Sequence, residues 1–233
     1  MQMPKVKMRA YFSTYHLWAA QHFADECLAI EDAHSGRSKF DIRHRALAMS
    51  TIIESGAFLE SAINELFKDC ADDHASYTSA LPGSTVAALK ARWNDWHALG
   101  RVTKPTLDKF DAAIKCCSAS PFNSGAAPYQ DANQVLKLRN ALMHFTPEWA
   151  AADEPNQFDH LKAKFETNSL MDGAGNAYFP DKCLGAGSSR WAIGAVKLFA
   201  DDFFARINVE PNYMKSPLLP PAPPPRAAHV KRL

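Results

Sequence analysis

The segment from residue 40 to residue 70 repeats apolar side chains at spacings of three and four positions. Such spacing places these side chains on one face of an α-helix, whereas a half-buried strand would need strict alternation. An apolar face of this length needs a hydrophobic core to bury it. We therefore predict one long core helix over 40–70. Its stripe consists of Met49, Ile52, Ile53, Leu59, Ile63, Leu66 and Phe67.

The same spacing recurs through most of the chain, and alternating or β-branched runs are nearly absent. We therefore predict an all-α fold. The stretch 168–188 contains the sequence GAG twice and is predicted to be a long loop, in which a G-x-G pair favours phosphate binding only weakly because no strand precedes it. The predicted helices are 11–34, 40–70, 85–98, 104–118, 128–145, 156–167 and 189–207.

The composition predicts one domain followed by a tail. The chain has 233 residues, of which 47% are hydrophobic, and this is enough to bury a sizeable core. Seven of the fifteen residues in 211–225 are proline, and such a segment prefers an extended conformation and cannot form a core. We predict a helical domain over 1–209 and a disordered tail over 210–233. The tail serves either to keep the protein soluble or as a ligand for a proline-binding groove.

Charge and hydropathy limit where the protein acts. Lys and Arg total 26 against 25 for Asp and Glu, so the formal net charge of +1 attracts the chain neither to nucleic acid nor to an anionic membrane. The first residues lack the apolar run of a signal peptide. No stretch approaches the roughly 18 consecutive apolar residues of a membrane span. We expect a cytoplasmic protein with no membrane partner.

Cysteine and histidine spacing favours neither a disulfide framework nor a metal site. The five cysteines are an odd number without C-x-x-C spacing, as is typical of reduced thiols. The nine histidines include no H-E-x-x-H motif and no close pair with carboxylates at ligand spacing. The chain also lacks a G-x-S-x-G nucleophile elbow and a Walker-type loop. We predict no metal and no cofactor.

The predicted helix 128–145 is apolar on two sides. One face supplies a core stripe and consists of Val135, Leu138, Leu142 and Phe145. Leu136 and Met143 lie roughly 130° round from that face. A second apolar face indicates contact with another helix layer of a bundle or with a second subunit. Leu136 and Met143 are therefore candidate residues of a homodimer interface.

Polar residues enter this helix near its end, in the sequence LRNALMHF at 138–145. Thr146 precedes a proline, which disfavours helical geometry at Thr146, so the helix is expected to end close to His144. The carbonyl end of a helix favours a protonated imidazole, and a histidine that holds a proton near neutral pH can serve as a general acid. A histidine at the end of a purely structural helix gains the same stabilisation.

The sequence RNALMHF at 139–145 resembles the Arg-x4-His signature of the HEPN superfamily of all-helical domains. The segment 52–67 resembles the acidic helix of these domains, and 146–149 and 183–207 resemble the ends of uncharacterised bacterial HEPN-like proteins. The resemblance covers roughly residues 40–207. It implies an HEPN-like helical bundle that works as a homodimer with its two motif helices facing each other. It also implies a metal-independent endoribonuclease, a toxin or defence component with a cognate antitoxin or nucleotidyltransferase as partner.

The resemblance implies catalytic roles for Arg139 and His144. RNA is cleaved when its 2′-hydroxyl is deprotonated and aligned with the adjacent phosphorus. His144 would act as base or acid, and Arg139 would hold the phosphate oxygens as negative charge builds. Asn140 lies four positions before His144 on one helix face, so it could orient the His144 ring or bind a phosphate oxygen. Glu60 and Asn64 could face the motif helix and position Arg139, or could have a purely structural hydrogen-bonding role.

Two other functions stay open. A catalytically inactive HEPN-like dimer would act as an interaction or nucleotide-binding module, and a helical structural protein would need neither property. The near-neutral net charge counts against RNA binding, because RNA-binding surfaces are usually basic. Lys137 and Arg139 form only a small basic patch.

Overall fold

The structure is a computed structural model that describes residues 8–98, 104–147, 149, 151 and 154–215. These residues are helical or irregular and contain no strand, which confirms the all-α prediction. The α-helices are α1 (Ser13–Asp32), α2 (Ile42–Ala71), α3 (Ala75–Thr78), α4 (Gly83–Ala98), α5 (Thr106–Cys116), α6 (Tyr129–Met143) and α7 (Ala186–Arg206).

Short turns replace one of the predicted helices. The stretch 156–167 contains a single 3-10 turn, Asp159–Ala163, so the predicted helix there is wrong. One turn is enough to bury both Phe158 and Leu161, and the few remaining apolar residues give no reason for a longer helix. The predicted loop 168–188 contains two further short turns.

Helix α2 is the centre of the bundle and contacts α1, α4, α6 and α7. Asp41 caps its N-terminus, because the Asp41 carboxylate accepts a hydrogen bond from the His44 amide at 3.0 Å. The predicted apolar stripe is buried along this helix, although Met49 and Ile53 keep some exposure. Burial contributes about 1.5–3 kcal/mol for each large apolar side chain, so this stripe is a main source of stability.

Aromatic side chains join α5 to α7. The Phe110 ring of α5 meets Phe199 and Phe203 of α7 edge to face, with ring centroids 4.9 Å and 4.7 Å apart. All three rings are fully buried. This packing fixes the position of α5, whose first turn lines the candidate site described below.

Helix α2 is also long and apolar enough, by length and composition, to cross a membrane. Half of its most apolar stretch is buried inside the bundle. Length and composition alone therefore do not separate a core helix from a membrane span at α2.

The packed part of the chain continues beyond residue 209, where the sequence analysis places the start of the tail. Tyr213 is fully buried, and its hydroxyl donates a hydrogen bond to Asp201 at 2.8 Å. The Asn212 amide donates to the Tyr77 hydroxyl oxygen at 3.0 Å. The helical domain therefore reaches at least Tyr213. The rest of the predicted tail, 216–233, lies outside the described residues.

Candidate functional site on helix α6

Helix α6 ends at Met143, close to the predicted position. His144 follows with φ −118° and ψ 31°, outside helical geometry. Val135 and Leu138 are fully buried, as predicted for the core stripe. Phe145 is 49% exposed, contrary to its predicted place in that stripe, because the helix has already ended. Leu142 is partly buried and packs against the core, so the core contact of α6 reaches its last turn and weakens there.

The second apolar face of α6 divides into a covered and an open part. Leu136 is 8% exposed and is covered by its own chain, so it offers little surface to a second subunit. Met143 is 55% exposed, and Phe145 beside it is also exposed. Of the two predicted interface residues, Met143 alone keeps the exposed surface that a homodimer contact requires.

Arg139 crosses from α6 to α2 through a space left by a glycine. An added Cβ at Gly56 would lie 3.0 Å from Arg139 Nε, so Gly56 is what lets the guanidinium approach the helix. One turn further along α2, Glu60 Oε2 accepts from Arg139 Nη2 at 3.2 Å. The predicted contact between Glu60 and Arg139 is thus present. Arg139 Nε is buried and has no hydrogen-bond partner among the described residues.

A lysine that the sequence analysis missed completes this network. Lys109 of α5 is 8% exposed, and its Nζ lies 2.9 Å from Asn64 Oδ1 and 3.4 Å from Glu60 Oε1. Asn64 therefore contacts the motif helix only indirectly, through Lys109 and Glu60. Two cations share one carboxylate, so these side chains carry a net charge of +1. The sequence does contain an indication that Lys109 is buried, because Lys109 lies four residues before Ala113 and therefore on the same, buried face of α5.

A cavity of about 440 Å³ opens between the first turn of α5 and the exposed face of α6. The amino end of α5 carries the positive end of the helix dipole, which favours anions. The Tyr129 hydroxyl donates a hydrogen bond to the Asp111 carboxylate at 3.0 Å. Burial and this carboxylate raise the pKa of Tyr129 to about 12, so the hydroxyl stays protonated. The cavity is lined by Glu60, Lys104, Pro105, Thr106, Leu107, Asp108, Tyr129, Asn133, Leu136, Lys137, Arg139 and Asn140.

His144 lies outside that lining but continues its polar stripe. Asn133, Lys137 and Asn140 follow each other at helical spacing along the cavity face, and His144 is the next position of that series. At 1.5 Å per residue it lies about 6 Å further along the axis than Asn140. The His144 amide donates to the Asn140 carbonyl at 3.0 Å. The predicted side-chain contact is absent, since the exposed His144 ring makes no hydrogen bond within the part of the chain that the structure describes.

The second GAG sequence begins α7 and does not form an open phosphate loop. The Ala186 amide donates to Glu31 Oε1 at 2.7 Å, so a carboxylate of the chain already occupies this helix end. A Cβ at Gly185 would lie 2.6 Å from that oxygen, and a Cβ at Gly187 would collide with the Glu166 carbonyl oxygen. These glycines are required for close packing.

The structure therefore brings Arg139, Glu60, Asn140 and Leu136 to one cavity and links Asn64 to it through Lys109. It leaves His144 and Met143 at the exposed end of α6. Comparisons of the chain with protein-family models, curated proteins and solved structures found no match.

Proposed function

We propose that the protein is a metal-independent endoribonuclease of HEPN type that works as a cytoplasmic homodimer. The observation that carries this proposal is the cavity face of α6, where Arg139, Lys137 and Asn140 border an opening of about 440 Å³. His144 lies outside this lining, about 6 Å beyond Asn140 along the helix axis. Cations beside a titratable side chain are what RNA cleavage requires, because negative charge builds on phosphate while protons move.

The proposed reaction needs only groups of the protein and the RNA. His144 accepts the proton of the 2′-hydroxyl, whose oxygen attacks the adjacent phosphorus. The bond between phosphorus and the 5′-oxygen breaks, and the 5′-oxygen takes up a proton. In a homodimer, the His144 of the second subunit can donate that proton. The products are a 2′,3′-cyclic phosphate and a 5′-hydroxyl. Arg139 uses one donor on Glu60 and keeps others for the phosphate oxygens.

Product analysis tests this proposal. The purified protein is incubated with mixed RNA in EDTA, its fold is checked in the same buffer by circular dichroism, and the new RNA ends are identified. We expect 2′,3′-cyclic phosphate ends at an unchanged rate when EDTA is present. Cleavage that stops in EDTA while the protein stays folded, or that leaves 3′-hydroxyl ends, would contradict the proposal.

The second candidate is a catalytically inactive HEPN-like module that binds a nucleotide. The observation in its favour is the size of the cavity, which falls in the range of roughly 300–1,000 Å³ that is usual for small-molecule sites. The net charge of +1 also suits a small ligand better than a long polyanion. Saturable binding of a nucleotide by calorimetry, together with background cleavage of all RNAs tried, would favour this module.

The ribonuclease proposal includes a protein partner. A toxin of this kind requires neutralisation by a cognate antitoxin or by a nucleotidyltransferase that modifies it. The gene next to this one is the first candidate for such a partner. Its coexpression is expected to suppress RNA cleavage and the growth defect that the protein causes when it is expressed alone.

A further inference from the structure

Three side chains of metal-ligand type converge where α1, α2 and α7 meet. Cys27 Sγ, a Glu31 carboxylate oxygen and a His44 ring nitrogen all lie within 4.8 Å of one another. Cys27 and His44 are buried, at 0% and 1% exposure, and the Glu31 side chain is 11% exposed. His44 and Glu60 are 16 positions apart on α2, which is about 24 Å along the helix axis. The cluster is therefore separate from the α6 cavity.

The backbone holds these ligands in place. Cys27 and Glu31 are four residues apart on α1, so they share one helix face. His44 belongs to the first turn of α2, which Asp41 caps. The Ser189 hydroxyl of α7 lies beside the Cys27 thiol. Its oxygen is buried and has no hydrogen-bond partner among the described residues.

The present contacts satisfy Glu31 but not the sulfur. Glu31 Oε1 lies 2.8 Å from His44 Nε2 and 2.7 Å from the Ala186 amide, while Oε2 accepts from Ser169 Oγ at 3.1 Å. These three contacts hold the Glu31 carboxylate in place beside His44 and the first turn of α7. The Cys27 thiol lies 4.0 Å from the His44 carbonyl oxygen, which is a weak contact, and beside the Ser189 hydroxyl.

We propose that Cys27, Glu31 and His44 bind one Zn²⁺ ion that fastens α1 to α2 at the base of α7. Zn²⁺ takes sulfur, nitrogen and carboxylate oxygen as ligands in tetrahedral geometry. Ser189 Oγ or a water molecule provides the fourth ligand. The Cys27 thiol releases its proton to solvent on binding, so that thiolate, carboxylate and Zn²⁺ sum to zero charge in a buried site.

This inference departs from the sequence prediction of no metal. That prediction considered histidine motifs and histidine–carboxylate pairs, whereas these ligands combine a cysteine–glutamate pair of α1 with a histidine of α2. The site is also independent of the proposed ribonuclease function, because no ligand belongs to the cavity lining. Loss of RNA cleavage and loss of zinc would therefore be separate results.

Metal analysis of the full chain tests the site. Protein purified without chelator is expected to contain about one zinc per chain by mass spectrometry, and EDTA is expected to lower its melting temperature until Zn²⁺ is added back. Apo protein titrated with Co²⁺ should develop a thiolate-to-cobalt charge-transfer band. A folded wild type without zinc and without this band would overturn the proposal, whatever the variants do.

Two cysteine variants sharpen the test. Cys27→Ser should abolish the charge-transfer band. It should also weaken metal affinity by more than the roughly 10–100-fold that is typical when a residue next to a metal ligand is changed, because Cys27 is itself a ligand. Cys70→Ser removes another fully buried thiol and should leave both band and affinity unchanged. The same band in Cys27→Ser as in the wild type would contradict the proposed ligand set.

Discussion

Gly56 decides whether Arg139 can reach α2. The guanidinium passes so close to this helix that an added methyl group would lie 3.0 Å from Arg139 Nε and 3.2 Å from Arg139 Cγ. Gly194 of α7 is a matched position, since it is exposed inside a helix and a methyl group there would touch nothing. The two glycines therefore separate the effect of close approach from the general effect of glycine in a helix.

Alanine at these two positions should have different effects. Gly194→Ala is expected to raise the free energy of unfolding by about 0.5–1 kcal/mol, because alanine is the better helix former. Gly56→Ala should raise the free energy of unfolding by less than Gly194→Ala does, or should lower it, because Arg139 must move away from Glu60. Urea denaturation of both variants measures the difference. Equal stabilisation would mean that Arg139 does not depend on the space at Gly56.

Glu60 is the counter-charge of both Arg139 and Lys109. Glu60→Gln keeps the shape of the side chain but leaves two cations facing each other, one of them Lys109 at 8% exposure. The Glu60 side chain is 40% exposed, so solvent screening limits the expected loss to about 1 kcal/mol. The loss should shrink in high salt if Coulomb repulsion is its cause. A loss that salt does not change would point to lost packing.

At the scale of elements, α2 supplies the cap of α1. No side chain of the preceding residue caps α1, and the Ser13 amide and hydroxyl instead donate to the Glu65 carboxylate, both at 2.8 Å. Burial and the nearby Asp69 carboxylate raise the pKa of Glu65 above its ordinary value of 4.5, although the Ser13 hydrogen bonds oppose this. The folded protein thus binds a proton at Glu65 more tightly than the unfolded chain does.

A pH series of Glu65→Gln tests that arrangement. Because the folded pKa is raised, the wild type loses stability as the pH rises from 4.5 through the folded pKa, and it regains this stability on acidification. Glutamine does not titrate but can still accept from the Ser13 amide. The free energy of unfolding of Glu65→Gln minus that of the wild type should therefore be larger at pH 7 than at pH 4. A difference that is constant, or larger at pH 4, would contradict the raised pKa.

At the scale of the whole molecule, the sequence predicted what depends on local periodicity. The apolar stripe of α2 specified the core, and Thr146–Pro147 marked the end of α6 to within about two residues. The sequence did not predict which distant residues meet. Lys109 reaches Glu60 because α5, which the Phe110 ring joins to α7, also packs against α2. The buried Tyr213 was missed because its proline-rich surroundings resemble a tail.

The proposed homodimer gives a prediction at the same scale. Light scattering should show a dimer at micromolar concentration, and Met143→Glu should convert it to a monomer, because a charge cannot be buried in an apolar contact. Leu198→Glu is the control, since Leu198 is similarly exposed on α7 and lies outside the motif helix. A wild-type monomer, or equal disruption by both variants, would exclude the proposed interface.

The most direct test of the ribonuclease proposal is the cleavage rate of one RNA by folded wild type, His144→Ala and Arg139→Lys in EDTA. His160→Ala, which removes another exposed histidine, is the control. Loss of proton transfer at His144 should lower the rate by about 10²–10⁴-fold. Arg139→Lys should also lose most activity, because lysine keeps the charge but not the planar fork that holds two phosphate oxygens. His160→Ala should match the wild type. Equal, background-level cleavage by the wild type and His144→Ala across varied RNAs would contradict the account.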